Sequence, residues 1–265
     1  MTATASLSHE SIRHRLTTRT IGTQLVVESK VDSTNRAAMA LSASGAAHGT
    51  VVVAEMQTQG RGRLGRAWIS PPGVNLYFSI LLQRRAALPS LTWLPLFAGL
   101  AVVRGVENLS GLACRLKWPN DVIIDRSHAA LKLAGVLAEA SEGSVVIGIG
   151  VNVNMAAEVF PPELHGIATS ILVETGRSVD RGELLARILG EVEALYDITG
   201  RSLDENMSAY RKACSTIGKD VKVSIVGGQE FEGSAEAVAS NGALCLRKSD
   251  GALLEIWAGD VVHLR

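Results

Sequence analysis

The chain has 265 residues, 47% of them hydrophobic, enough to bury one substantial core and leave a small second domain. Lysine plus arginine equals aspartate plus glutamate at 26 each, so no overall field recruits nucleic acid or an anionic membrane, and any anion site has to be local. Cys114, Cys214 and Cys245 form no C-x-x-C pair and read as buried thiols; no apolar run approaches a bilayer span, so a cytoplasmic protein without a membrane partner is expected.

In chain order, residues 1–20 read as one helix packed on the domain or as a partly disordered arm. His9 and His14 stand five apart, unlike the i, i+4 pair of a helical zinc site. A strand is expected over residues 24–28, then a helix opening at the polar cluster Ser33-Thr34-Asn35 and stopping at Gly45. Further strands are expected over residues 50–55 and 76–82, a long helix over 89–109, and strands over 114–118 and 122–125. Residues 131–140 and 144–151 flank Ser141-Glu142-Gly143 and read as a hairpin. Asp180, with Glu183 three residues on, has capping-box spacing and precedes Leu184, Ile188, Val192 and Leu195 at helical intervals.

After Cys214 the helical period disappears, and Gly227-Gly228, Asn241-Gly242 and Asp250-Gly251 punctuate short strands. Residues 218–265 therefore read as a small barrel-like β-domain, and residues 1–217 as one domain that alternates strand and helix.

The most informative stretch is Gly60-Arg61-Gly62-Arg63-Leu64-Gly65-Arg66-Ala67-Trp68. Its three arginines would repel one another in an empty loop, which points to an anionic ligand such as a phosphate or carboxylate. Gly60, Gly62 and Gly65 satisfy G-x-G-x-x-G, but Ser70-Pro71-Pro72-Gly73 follows where a dinucleotide-binding turn needs a helix. No P-loop and no G-x-S-x-G nucleophile elbow is present. With no apolar anchor before Leu64, the loop is expected to order only when ligand arrives.

The order G-R-G-R-x-G-R-x-W, then Lys117-Trp118-Pro119-Asn120-Asp121, then Lys132-Leu133-Ala134-Gly135-Val136-Leu137 resembles the biotin–protein ligases, also called holocarboxylase synthetases. Ser33-Thr34-Asn35 and Gly148-Ile149-Gly150-Val151-Asn152 fit the same pattern. The resemblance implies an α+β fold: a central mixed β-sheet flanked by helices, as in class II aminoacyl-tRNA synthetases, followed by a small C-terminal SH3-like domain. Residues 1–217 would then be the catalytic biotin- and ATP-binding domain.

The activity so implied joins biotin and ATP as biotinyl-5'-AMP and passes the biotinyl group to a lysine of a biotin carboxyl carrier domain of an acyl-CoA carboxylase. Two anions must meet, and Arg61, Arg63 and Lys132 are suited to offset their repulsion. The resemblance places Lys132 on the biotin carboxylate and α-phosphate, and makes Lys132, Arg61 and Asp121 the catalytic candidates. Ser33, Thr34, Asn35 and Gln57 would meet the ureido ring, with Gly60, Arg61, Gly62, Arg63, Lys132 and Gly135 along the chain and carboxylate. ATP would be held by Arg63, Trp68, Lys117, Asn120, Lys132 and Asn152. Magnesium is expected through the ATP phosphates; Asp121 would hold it, orient Lys132 or accept a proton, and the sequence does not separate these roles.

About thirty residues precede Val31, too few for the winged-helix domain of ligases that double as repressors, so a ligase without DNA binding is expected. The nearest alternative is a ligase for lipoate or another acid on the same scaffold. A more distant one, an RNA-binding module, is disfavoured by balanced charge and by only four Trp, three Tyr and four Phe. Monomer and homodimer are equally compatible with the strand pattern.

Overall fold

A computed structural model describes residues 6–84, 90–126, 129–141, 143–197 and 203–264. Seven strands form the first sheet: β1 (Leu25–Glu28), β2 (Val51–Ala54), β3 (Leu76–Gln83), β4 (Arg115–Lys117), β5 (Asp121–Arg126), β6 (Ala129–Ser141) and β7 (Ser144–Val151). Their spatial order is β1-β2-β3-β7-β6-β5-β4. Only β1 and β2 run parallel, so the sheet is mixed, as expected. The expected 131–140/144–151 hairpin is β6–β7, although Glu142 of its turn lies outside the described residues.

Side-chain alternation decides what covers each face. Leu76, Phe78, Ile80 and Leu82 of β3, with Val51 and Val53 of β2, enter the main core, whereas Val52, Leu81 and Val146 turn the other way onto Ala38. Ala38 belongs to α2 (Thr34–Ala43), the second helix after the short α1 (His9–Arg13). Because α2 packs mainly over β2, β3 and β7 and reaches β6 only through Asn35, its face of the sheet stays largely open above β6 and β5. That opening is where the site lies.

The opposite face is closed by α3 (Trp93–Ser110), where burying a large apolar side chain contributes roughly 1.5–3 kcal/mol. The helix expected over 89–109 is this element; Pro89 lies outside the described residues. After α4 (Ile171–Thr175), α5 (Arg181–Tyr196) packs against α3 with Leu184, Ile188, Val192 and Leu195 fully buried. Asp180 caps α5 by accepting from Glu183 N, while the Glu183 carboxylate bonds Arg187 at 2.9 Å, so only half of the capping box forms. α1 covers a fraction of the N-terminal segment, anchored by buried Leu7 and Ile12.

Beyond α6 (Leu203–Ala213), five antiparallel strands form the SH3-like sheet: β8 (Asp220–Ser224), β9 (Glu230–Val238), β10 (Leu244–Arg247), β11 (Leu253–Ile256) and β12 (Asp260–His263), ordered β11-β10-β9-β8-β12. Two indoles fasten it to the first sheet's layer: Trp93 Nε1 donates to Ser240 O at 2.7 Å and Trp118 Nε1 to Gly242 O at 3.1 Å. Cys114 and Cys214 are buried as expected, but Cys245, on a strand of this smaller sheet, is only half-buried. Burial pushes the Cys114 thiol up to about 12, which keeps it protonated.

Candidate active site

A cavity of about 490 Å³ opens on the face that α2 leaves uncovered, within the range expected of a small-molecule site. Its first wall is the start of α2. Ser33 sits at the N-cap with its side chain buried, yet makes no capping bond, so helix capping does not account for this hydroxyl. Thr34 donates through both N (2.9 Å) and Oγ1 (3.1 Å) to Gln57 Oε1, and Gln57 Nε2 donates to Ser70 Oγ at 3.0 Å. Polar groups held this firmly present fixed donors and acceptors to a ligand.

The floor comes from β6 and β7. Gly135 pairs with Gly150 across the two strands, and the Trp68 ring fills the space above both. Gly148 likewise leaves room for Asn35, whose Oδ1 would stand 2.0 Å from a Cβ there. Lys132 reaches the same space through a β-bulge. Register shifts between Val122 and Ile123 of β5, leaving Leu133 as the extra residue of β6. Leu133 and Ala134 consequently both enter the core, and Lys132 and Gly135, three positions apart, line one cavity.

Cations gather here in two states. Lys132 Nζ lies 2.6 Å from Asp121 Oδ1 and 5.4 Å from the Trp68 ring centroid; Arg61 Nη2 lies 2.5 Å from Glu139 Oε2; Arg66 pairs with Asp260. Arg63 and Lys117, among the described residues, have no carboxylate within ion-pairing distance. Arg63 Nη1 instead donates to Asn120 Oδ1 and to Gly259 O, both at 3.1 Å. Burial lowers the Arg63 and Lys117 pKa values from their ordinary positions, opposed by the negative charge of Asp121 and Asp260. Two cations held in a partly dry cavity without carboxylate partners suit a polyanion.

K-W-P-N-D divides at the turn between β4 and β5: Lys117, Asn120 and Asp121 line the cavity, while Trp118 is buried behind it. Asn120 is also used internally, since Nδ2 donates to Val136 O at 3.0 Å. Asn152 lines the cavity from the end of β7, its backbone N bonded to Leu133 O at 2.9 Å. Gly60 stands outside the lining; a Cβ there would meet Trp68 O at 2.3 Å, so this glycine closes the loop upon itself. Met155, Phe160, Leu164 and Ile167 supply an apolar wall.

A family model described as the biotin/lipoate A/B protein ligase family matches residues 27–155, and one described as the biotin protein ligase C-terminal domain matches residues 216–264. The chain is 39% identical over 248 residues to a biotin–[acetyl-CoA-carboxylase] ligase of Mycobacterium tuberculosis, covering 91% of this chain and 90% of that protein. The chain belongs to the biotin–protein ligase family. Another member, a bifunctional ligase/repressor BirA of Bacillus spizizenii, is 34% identical over 261 residues, covering 96% of this chain and 78% of that protein. The solved biotin protein ligase of Aquifex aeolicus in complex with biotin and ATP superposes with a TM-score of 0.78 at 33% identity, covering 92% of this chain and 99% of that one.

Within this ligase frame, the sequence left four contributors unassigned: Ser79, Glu139, Gly259 and Asp260. Ser79 is fully buried beneath Thr34 and Asn35, to whose oxygens its Oγ lies 2.8 and 2.6 Å away. Glu139 had a signal, an acidic residue two alternations beyond Gly135 on an apolar strand. Gly259 and Asp260 had none, because nothing local announces a turn that reaches back across the molecule. Among the described residues no helix is long and apolar enough to cross a membrane, and no group of three His, Cys, Asp or Glu side chains converges as a metal site.

Proposed function

We propose that this protein is an ATP-dependent biotin–protein ligase that forms biotinyl-5'-AMP and transfers the biotinyl group to a lysine of a biotin carboxyl carrier domain. One observation carries the reading: Ser33, Thr34, Gln57, Arg61, Lys117 and Lys132, from four separate segments, line a single cavity. In the first step a biotin carboxylate oxygen attacks the α-phosphorus of ATP and pyrophosphate leaves. In the second a carrier lysine amine attacks the acyl carbon and AMP leaves.

Ser33, Thr34 and Gln57 recognise the ureido ring, with Asn35 fixing the start of their helix. Gly62, Arg61 and Gly135 border the valeryl chain and carboxylate; Gly60 serves the loop's own closure. Lys132 and Arg61 stabilise charge between the carboxylate and the α-phosphate, and the 2.6 Å contact favours Asp121 as the residue that orients Lys132. Arg63 and Lys117 take the remaining phosphates, Trp68 covers the adenine, and Asn120 and Asn152 border it. Asp121 is the residue that would hold magnesium carried in by ATP, which would there neutralise phosphate charge. Residues 1–217 form the catalytic domain and residues 218–265 the C-terminal one, a division supported by the two separate sheets.

The deciding experiment mixes the protein with Mg-ATP, biotin and a carboxylase carrier domain and follows the carrier's mass. Biotin-sized mass gain confined to the carrier's target lysine is expected. No gain with biotin, or gain with lipoate instead, would overturn the substrate assignment.

A further inference from the structure

The face of β6 that carries Gly135 continues through Leu137 to Glu139, a carboxylate with no part in the chemistry above. Glu139 Oε2 accepts from Arg61 Nη2 at 2.5 Å and from Asn35 Nδ2 at 2.7 Å, tying the glycine–arginine loop and α2 to one point on the sheet. Asn35 is itself immobilised: Nδ2 also contacts Leu137 O at 3.3 Å, and Oδ1 lies 2.6 Å from the buried Ser79 Oγ. Ser79 Oγ is 2.8 Å from Thr34 Oγ1, which donates to Gln57. An unbroken run of polar contacts thus leads from the ring-recognising groups to the loop arginine. Arg61 Nε, buried and without a hydrogen-bond partner among the described residues, is left for a ligand.

We propose that Glu139 is a positioning residue that aims Arg61: its carboxylate fixes Nη2 from the ring end of the cavity, so that the guanidinium meets the incoming carboxylate and phosphate already oriented. This rests on the role assigned to Arg61 above. A half-exposed ion pair contributes little to stability by itself, so a purely structural function would leave only a small trace anywhere. Orientation of a reacting group has a far larger effect on rate.

The test compares wild type, Glu139→Gln, Arg61→Ala and the double variant in biotin-dependent ATP–pyrophosphate exchange, in escape of biotinyl-adenylate, and in thermal unfolding. Glutamine keeps an acceptor for Asn35 and removes the negative charge that faces Arg61. Glu139→Gln is expected to raise the KM for biotin and the rate of adenylate escape on the order of 10-fold to 100-fold, with the unfolding midpoint close to wild type. In the Arg61→Ala background the same change should add nothing. The proposal is overturned if Glu139→Gln matches wild type while Arg61→Ala is impaired, or if the two effects multiply in the double variant. If Arg61→Ala itself leaves both readouts untouched, the role assigned to Arg61 fails, and the aiming role with it.

Discussion

Trp68 lies so close over Gly150 that a Cβ on that glycine would come within 2.5 Å of the indole Cε2 and Nε1. The indole is therefore placed by an absence of side chain on β7 as much as by its own loop. Gly135, paired with Gly150, completes the bare floor.

Replacing Gly150 with alanine should displace the indole without unfolding the sheet, because alanine suits an extended strand better than glycine does. Loss of ring stacking is expected to weaken nucleotide binding by about 1–3 kcal/mol while biotin binding changes less. Calorimetric titration with a non-hydrolysable ATP analogue reads this directly; unaltered nucleotide affinity would detach Trp68 from the adenine.

Removing the strand ammonium should be far more severe. Lys132→Ala is expected to raise the barrier to adenylate formation by about 3–4 kcal/mol, a fall on the order of 100-fold to 1000-fold in biotin-dependent pyrophosphate exchange. An exchange rate within a few-fold of wild type would remove Lys132 from the chemistry.

Lys117 gives the enzyme an alkaline signature. Burial lowers its pKa, and phosphate contact would raise it again on binding. ATP affinity should then be full below the free-enzyme pKa and fall as pH climbs through it, earlier than for an ordinary lysine. Lys117→Arg, which stays charged, should hold ATP affinity level across that range. Parallel losses in the two proteins would assign the effect elsewhere.

An acid signature belongs to His263. Burial, then the neighbouring charges of Lys219 and Lys117, lowers its pKa from 6.5 to about 4. Between those values the unfolded chain binds the proton that the folded one refuses, so His263's contribution to stability is complete above about pH 6.5 and declines as pH falls toward 4. Thermal unfolding of His263→Gln should show a flatter profile over that interval; an identical slope would exclude this histidine as the source.

Much of this architecture was legible in the residues. Apolar alternation located the strands of the mixed sheet, and Asp180 marked the start of α5 because capping and helical period are local signals. Three features were not legible, each for a physical reason. The bulge at Leu133 breaks the period of two by one residue, which leaves no trace in composition yet decides that Lys132 and Gly135 share a side. Ser33 carries the same letter whether it caps a helix or faces a ligand; only the missing capping bond tells them apart. The sequence offers the loop no apolar anchor before Leu64, hence the expectation that it orders only with ligand, and Leu64 is indeed exposed. Its anchors are polar and distant in sequence: Glu139, Asn120, Gly259 and Asp260.

Two of those anchors sit at the start of the smaller sheet's last strand. Arg63 ends on Gly259 O, Arg66 on Asp260, and a Cβ on Gly259 would come within 2.7 Å of Val223 Cγ1, so this turn has little freedom to wander from its own strands. The two modules of the chain are consequently not interchangeable parts. A chimera carrying residues 218–264 of a relative would inherit a different grip on the arginines along with them, and its nucleotide affinity would travel with the graft.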